Sequence, residues 1–380
     1  MLVGIGSAVS FQGRPRREGT VLTQWWHDVT AAAEVDDTVG IPGTGLVAFG
    51  TLPFDAESAA TASFTVPEVI LGRRDGRSWV TRVHRVEDTQ SEDPLEPTPY
   101  GPHWSATVGP GTLTPDGYQD AVRAGLDEIR AGAVSKVVLA RDLAGSVPAG
   151  SDLRRLVRAL AAAYPDTWTF AVDGLVGASP ETLVTVSGGT VTARVLAGTI
   201  ARGADADADT AASVTLATSA KDLDEHQYAV QSVLAALRPH TSALVAEEQP
   251  FMLKLPNVWH LATDVEGALD ADASALDLLG VLHPTAAVAG TPTPTAIELI
   301  RRLEPFDRAR YAGPVGWIDA HGDGEWAIAL RCAQFDLETG PADRIPFTAH
   351  AGAGIVAGSD PEAEMLETRV KFRPIIDALA

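Results

Sequence analysis

Four stretches of this chain carry side chains that could do proton or charge chemistry. The first is "KVVLAR", Lys136 to Arg141, an apolar run opened by a lysine. Of the 29 basic residues only four are lysines: Lys136, Lys221, Lys254 and Lys371. Arginine stays protonated, whereas a desolvated lysine can give up its proton and act as a base. A lysine at a strand start can also simply snorkel, its stem on apolar surface and its head in water. The second stretch is "GASPETL", where Glu181 follows Pro180 among apolar neighbours. Burial there would raise its pKa and suit it to be a general acid; a strand-edge glutamate in solvent is the plain alternative.

The third and fourth stretches are helical. "SDPEAEMLETRVK" places Asp360 as N-cap and Pro361 at the first helical position, just after the glycine-bearing "HAGAGIV". A glycine loop near a helix start can offer backbone N–H groups to an anion. Glu364, Glu367 and Lys371 then share one helix face. "KDLDEH" carries Lys221, Asp222, Glu225 and His226, with Lys221 and Glu225 four apart. Each helix taken alone also reads as a solvated ion-pair face. Brought together, Glu225, Glu364 and Glu367 would supply the carboxylate oxygens that Mg²⁺ prefers. Arg331 lies in the apolar run "ALRCA", where a buried guanidinium needs an anionic partner such as a carboxylate. His260 in "VWHLAT" and His283 in "LHPTAA" read first as hydrogen-bonded core residues.

The elements that must position these groups are legible in outline. The 380 residues, 45% hydrophobic, can bury a large core. Residues 1 to about 110 read as short strand-like pieces, followed by the acidic, proline-rich "EDTQSEDPLEPTPYGPH" as an exposed linker. Beyond it helices and strands alternate. A helix is expected over "TPDGYQDAVRAGLDEIRAG", and another over "SDLRRLVRALAAAY" with Ser151 as its cap. "ATSAKDLDEHQYAVQSVLAALR" is expected as one helix, and "GADADADTAA" as a solvated acidic loop. The intermixing predicts an α/β or α+β domain of enzyme size.

Composition narrows the partners. A net charge of −21 repels nucleic acid and anionic membrane surfaces. One cysteine, Cys332, excludes an intrachain disulfide and a Cys₄ zinc site. No apolar run approaches the length that spans a bilayer, and the N-terminal basic residues follow the apolar run, the wrong order for a secretory signal. The expectation is a soluble cytoplasmic protein, a monomer or weak homo-oligomer, with no nucleic-acid or membrane partner.

From Thr114 to the C-terminus nine stretches in order resemble the chorismate-utilising enzymes, and among them the isochorismate synthases: "KVVLAR", "GASPETL", "LAGTIARG", "SAKDLDEH", "VWHLAT", "LHPTAAVAG", "LEPFDRARYAGPVGW", "EWAIALRCAQ" and "AGAGIVAGSDPEAEMLETRVK". The resemblance implies a single large α/β domain in which two β-sheets face each other, helices packed outside and the active site between. Residues 111–380 would be the catalytic region and 1–110 a weakly matching, strand-rich part of the same fold. It implies chorismate as substrate and Mg²⁺ as cofactor. Lys136 would be the base that activates water for attack at C2, and Glu181 the acid that protonates the departing C4 hydroxyl. Glu225 and Glu367, with Glu364 close by, would hold the metal. Arg331, Lys371 and the amides around Gly352 and Gly354 would bind carboxylates, with Gly198, Thr199, His260 and Tyr311 lining the pocket. Anthranilate synthases resemble the chain but lack the lysine at Lys136, and aminodeoxychorismate synthases carry a lysine where this chain has Ala197; both differences point to water as nucleophile. A salicylate synthase, which goes on to eliminate pyruvate, and a non-catalytic chorismate binder remain open alternatives.

Overall fold

The computed structural model describes residues 1–14, 20–86, 96–254, 258–270, 273–338 and 343–380. The Lys221 side chain and residues 87–95 of the acidic linker lie outside the described residues.

The long strand Lys136–Pro148 organises the molecule. Its β-branched, apolar start continues into an antiparallel ladder with Arg344–Val356 that runs the whole length of both. This pair is the centre of a seven-stranded sheet that also takes in Cys332–Phe335, Leu175–Ser179 and Trp168–Val172. A ten-stranded sheet contains Thr182–Ser187, Thr190–Ala201, Val258–Leu269, Gly324–Ile328 and Pro314–Asp319. Val47–Thr51, Ala62–Val66 and Val9–Gly13 extend it, so N-terminal strands pair directly with later ones. A small third sheet is formed by Leu2–Ile5, Val69–Arg74 and Arg77–Arg82.

Strand alternation sorts side chains between two layers. Val137, Leu139, Ala353 and Ile355 enter the main core with Tyr118, Val122 and Leu126 of helix Pro115–Arg130 and Leu299 and Ile300 of helix Thr293–Leu303. Lys136, Val138, Gly352 and Gly354 point the other way, into a cavity that the ten-stranded sheet closes with Leu196, Thr199 and His260. The two sheets therefore face each other across that cavity, with helices outside. A second core, on the seven-stranded sheet, joins Phe347 and Ala349 to Leu156, Leu160, Phe372 and Ile375 of helices Arg154–Ala163 and Pro361–Ala378.

Three local expectations change. "GADADADTAA" is not a loop but opens helix Ala206–Thr218, because Asp205 caps the Ala208 N–H and Asp207 and Asp209 sit in the first turn, where the helix dipole favours negative charge. The helix through "KDLDEH" begins only at Ala220: Ser219 stands between two helices and accepts from the Asp222 N–H. Ser151 does not cap helix Arg154–Ala163; Asp152 accepts the Arg154 N–H instead.

A buried ion pair closes one edge of the Lys136 strand. Between the short strand Gly290–Thr291 and strand Thr107–Pro110, this edge has no complete strand partner. Glu304 accepts the Ala140 N–H at 2.8 Å, and Arg308 donates to the Val138 carbonyl at 2.7 Å and the Val288 carbonyl at 2.9 Å. Glu304 and Arg308 pair with each other at 2.5 and 2.8 Å, both all but sealed from solvent. Removing one member of such a pair strands a charge and orphans backbone groups. Glu304→Ala is expected to lower unfolding free energy by about 3–5 kcal/mol in urea denaturation; an unchanged midpoint would show that the pair does not hold the strand.

Candidate active site

The acid and the arginine are positioned where the chain passes from one sheet to the other. Leu175–Ser179 belongs to the seven-stranded sheet and Thr182–Ser187 to the ten-stranded one; Glu181 sits in the step between them. Gly324–Ile328 and Cys332–Phe335 make the reverse step, with Arg331 in it. The two crossings run side by side: Ala178 N–H donates to the Arg331 carbonyl at 3.3 Å, and Ile328 N–H to the Glu181 carbonyl at 3.0 Å. Arg331 is therefore not inside a strand, as its apolar context implied, and takes φ +51° at the bend.

The departure of that strand also exposes backbone donors. Cys332–Phe335 pairs with Arg344–Val356 only as far as Ala333 opposite Ala349. Ala140 and Val138 turn their N–H groups away from Arg344–Val356, to Glu304 and the Ala289 carbonyl. Their opposite residues, Gly352 and Gly354, are thus non-hydrogen-bonded pairs and turn their own N–H groups to the side the strand has left. A Cβ on Gly352 would meet the Leu139 carbonyl oxygen at 2.6 Å, and one on Gly354 would meet Lys136 Cε at 3.0 Å. Glycine at 352 permits close backbone approach, and glycine at 354 makes room for the lysine.

Gly198 works similarly. It takes φ +77° at a bulge in Thr190–Ala201 and brings Thr199 opposite His260, whose Nδ1 lies 2.8 Å from Thr199 Oγ1. Burial, with Lys371 and Arg331 nearby, pushes His260 down to about 4, so its ring is neutral. Burial raises Tyr311 to about 12; it stacks on His350 with ring centroids 5.2 Å apart and stays a neutral phenol.

Thirteen of the residues singled out above, Lys136, Glu181, Gly198, Thr199, Glu225, His260, Tyr311, Arg331, Gly352, Gly354, Glu364, Glu367 and Lys371, line one cavity of about 450 Å³. His283 does not; its Nε2 lies 3.1 Å from the Phe54 carbonyl oxygen. His226 is buried between the Ala197 carbonyl and Thr263. Lys136 is neither snorkelling nor free: it donates to Glu225 at 2.8 Å, its side chain 13% exposed. Lys371 pairs with Glu367 at 2.5 Å and donates to the Gly352 carbonyl at 2.9 Å.

Glu181 has the environment of an acid. Burial raises its pKa to about 7, against the opposing pull of Lys136, Arg331 and Lys371. Burial pulls the Arg331 guanidinium down, against the opposing charge of Glu367. Glu364 is raised by burial and by neighbouring Glu367, partly offset by a hydrogen bond from Ser359.

Among the described residues, no three His, Cys, Asp or Glu side chains converge as a ready-made metal cluster. The three glutamates expected at a metal share the cavity, but two of them hold lysines. The donor set still fits Mg²⁺, which takes one or two carboxylates and fills its shell with water and ligand oxygens. Burial, the main cause of the raised Glu364 pKa, and the nearby Glu367 both disfavour its carboxylate, and a bound cation would favour it. Asp222 also lines the cavity and went unassigned in the sequence reading, as did Arg308. The signal for Asp222 was present: Asp222 and Glu225 repeat on one helix the three-residue spacing of Glu364 and Glu367 on another.

The fold is an antiparallel two-sheet α/β one whose cleft gathers a buried glutamate with a raised pKa, two lysines and an arginine. The chain matches the chorismate binding enzyme family over residues 1–380, and it belongs to that family. It is 39% identical over 351 residues to a Mycobacterium tuberculosis protein provisionally named isochorismate synthase MenF, covering 89% of this chain and 87% of that one. It is 37% identical over 342 residues to the isochorismate synthase DhbC of Bacillus subtilis, covering 87% and 80%. A crystal structure from Bacillus anthracis, provisionally assigned as a 2,3-dihydroxybenzoate-specific isochorismate synthase, superposes with TM-score 0.77 and 30% identity, covering 100% of this chain and 93% of that one. Among the described residues no helix is long and apolar enough to cross a membrane.

The Glu181 environment has a measurable signature in stability. Its folded pKa lies above the usual carboxyl value of 4.5, so the folded state keeps a proton that the unfolded chain has lost. Stability attributable to this group is present below pH 4.5 and is lost as pH rises to about 7. Glu181→Gln is therefore expected to melt above the parent at pH 8, by on the order of 3 kcal/mol, and near it at pH 4. Equal melting differences at both pH values would show that Glu181 is not held in its acid form.

Proposed function

We propose that this chain is an isochorismate synthase, converting chorismate reversibly to isochorismate by addition of water at C2 and loss of the C4 hydroxyl. The observation that carries the reading is the pairing of Lys136, on one sheet, with a protonated Glu181 at the sheet crossing, in one cavity of a family member. A proton donor and a proton acceptor in one cavity are what a hydroxyl exchange needs.

Lys136 takes a proton from the attacking water, and Glu181 gives one to the leaving hydroxyl. Arg331, Lys371 and the free N–H groups of Gly352 and Gly354 bind the substrate carboxylates; neutral His260, Thr199 and Tyr311 shape the pocket around the ring. The cavity lining sets Lys136, Arg308, Arg331 and Lys371 against Asp222, Glu225, Asp360, Glu364 and Glu367, so a dianion would need a bound cation as well as these side chains. Glu225 and Glu367, with Glu364 and Asp222 beside them, would hold Mg²⁺. Bound there, the ion would neutralise a substrate carboxylate. A cation taken by Glu225 also competes for the carboxylate that now pairs with Lys136. Every residue lining the cavity lies within 111–380, while Val9–Gly13, Val47–Thr51 and Ala62–Val66 extend the larger sheet.

Purified protein given chorismate and Mg²⁺ is expected to yield isochorismate, resolved by chromatography. Salicylate with pyruvate would make it a salicylate synthase, and no turnover a binder. Lys136→Ala and Lys136→Arg are both expected to lose activity with the fold intact by circular dichroism, since arginine keeps the charge and not the base. Thorough chelation is expected to abolish turnover; activity that survives it would overturn the metal assignment.

Gly354→Ala supplies a finer test. Its new methyl would press on Lys136 Cε, a flexible target, so kcat is expected to fall about tenfold or more with little change in melting temperature. Gly352→Ala presses on backbone and is expected to lower stability. Parental kcat in Gly354→Ala would show that the aim of Lys136 does not limit the reaction.

A further inference from the structure

A second cavity, of about 230 Å³, lies behind Glu181, between strands Thr182–Ser187 and Thr190–Ala201 of the larger sheet and helix Ala220–Leu237. It shares Glu181, Leu196 and Ala287 with the main cavity, so these residues form the wall between the two. At its outer end are Ser232, which is exposed, and Val281, which is 42% exposed. Within it, Thr285 Oγ1 is buried and has no hydrogen-bond partner. An orphaned hydroxyl in a space with room for several waters is the setting in which ordered water resides.

We propose that this second cavity is a water-filled proton-supply route to Glu181, separate from the path by which substrate enters. The inference rests on Glu181 being the general acid. In each forward turnover the C4–O bond breaks and the leaving hydroxyl departs as water with the proton of Glu181. The incoming water forms the C2–O bond and leaves a proton on Lys136. One water enters and one leaves, but Glu181 ends one proton short and Lys136 one in excess. While substrate or product fills the main cavity, the acid is screened on that side. The second cavity is lined by the same glutamate on the side of helix Ala220–Leu237, and exposed Ser232 and Val281 stand at its rim. Water standing there can return the proton to Glu181 before the product has left, and Lys136 passes its excess proton to solvent through the main cavity as product leaves, so protons balance over the cycle.

The test is to fill the route without touching the reacting groups. Ala229 and Ala236 line it from helix Ala220–Leu237, whereas Ala235 on the same helix is exposed and lies outside it. Ala229→Leu and Ala236→Leu are expected to lower kcat about tenfold, leave KM for chorismate within about twofold, and raise the solvent deuterium isotope effect on kcat as proton return becomes limiting. Ala235→Leu is expected to match the parent. Ser232→Leu, at the exposed mouth where no core is disturbed, gives the same readout if the inner variants fail to fold. Parental kcat and isotope effect in the filled variants overturn the route; so does a fall in kcat with an unchanged isotope effect, which is the mark of distortion. Glu181→Gln separates the two ideas. An active Glu181→Gln removes the acid assignment itself, whereas an inactive Glu181→Gln beside unaffected cavity variants removes only the route.

Discussion

The site hangs from a strand whose free edge is held by one buried ion pair. Lys136–Pro148 has a full-length partner on one side and an incomplete one on the other, and Glu304 and Arg308 fill the break by bonding Ala140 N–H and the Val138 carbonyl. That arrangement sets the hydrogen-bonding phase of the strand. With Ala140 and Val138 facing outward, Gly352 and Gly354 must turn their amides toward the cleft. The same phase sends Lys136 and Val138 into the cavity and Val137 and Leu139 into the core. A slip by one residue would bury the lysine among the helices.

The paired crossings between sheets are the second constraint. A strand that leaves one sheet for another creates a place where backbone donors lack partners and side chains emerge beside them. Here Glu181 and Arg331 emerge together, tied through their carbonyl groups to the neighbouring crossing. The acid is desolvated because both sheets close around it, and burial outweighs the opposing pull of Lys136, Arg331 and Lys371 on its proton. Two lysine–glutamate pairs keep the cavity electrically near balance in a strongly acidic chain.

Much of this was legible in residue types. The helix through Glu364, Glu367 and Lys371 begins as its Asp360–Pro361 signal requires, with Asp360 accepting two backbone N–H groups. The nine ordered stretches pointed to the family. Local reasoning failed where tertiary partners intervene. The alternating Asp–Ala run is capped as a helix by Asp205, and Asp209 in its first turn is further held by a bidentate pair with Arg202 and a bond from Trp259, a partner some 50 residues away. Arg331 looked like a strand residue because the apolar run around it continues unbroken through the bend. Glu304 and Arg308 stood inside a quoted stretch without a role, since the strand edge they close lies more than 160 residues away in sequence.

The sequence by itself determined which chemical groups were present and how they were spaced along each element: a rare lysine at a strand start, a glutamate among apolar residues, acidic pairs three apart on two helices, glycines where backbone must approach closely. Those are properties of side-chain chemistry and helix or strand periodicity, which act over a few residues. Only the tertiary structure decided that these groups meet in one cavity, that Lys136 shares a hydrogen bond with Glu225 across 89 residues, and that Glu181 has a second cavity behind it. Desolvation and charge pairing depend on what is near in space, and nearness in space is set by the packing of both sheets as a whole.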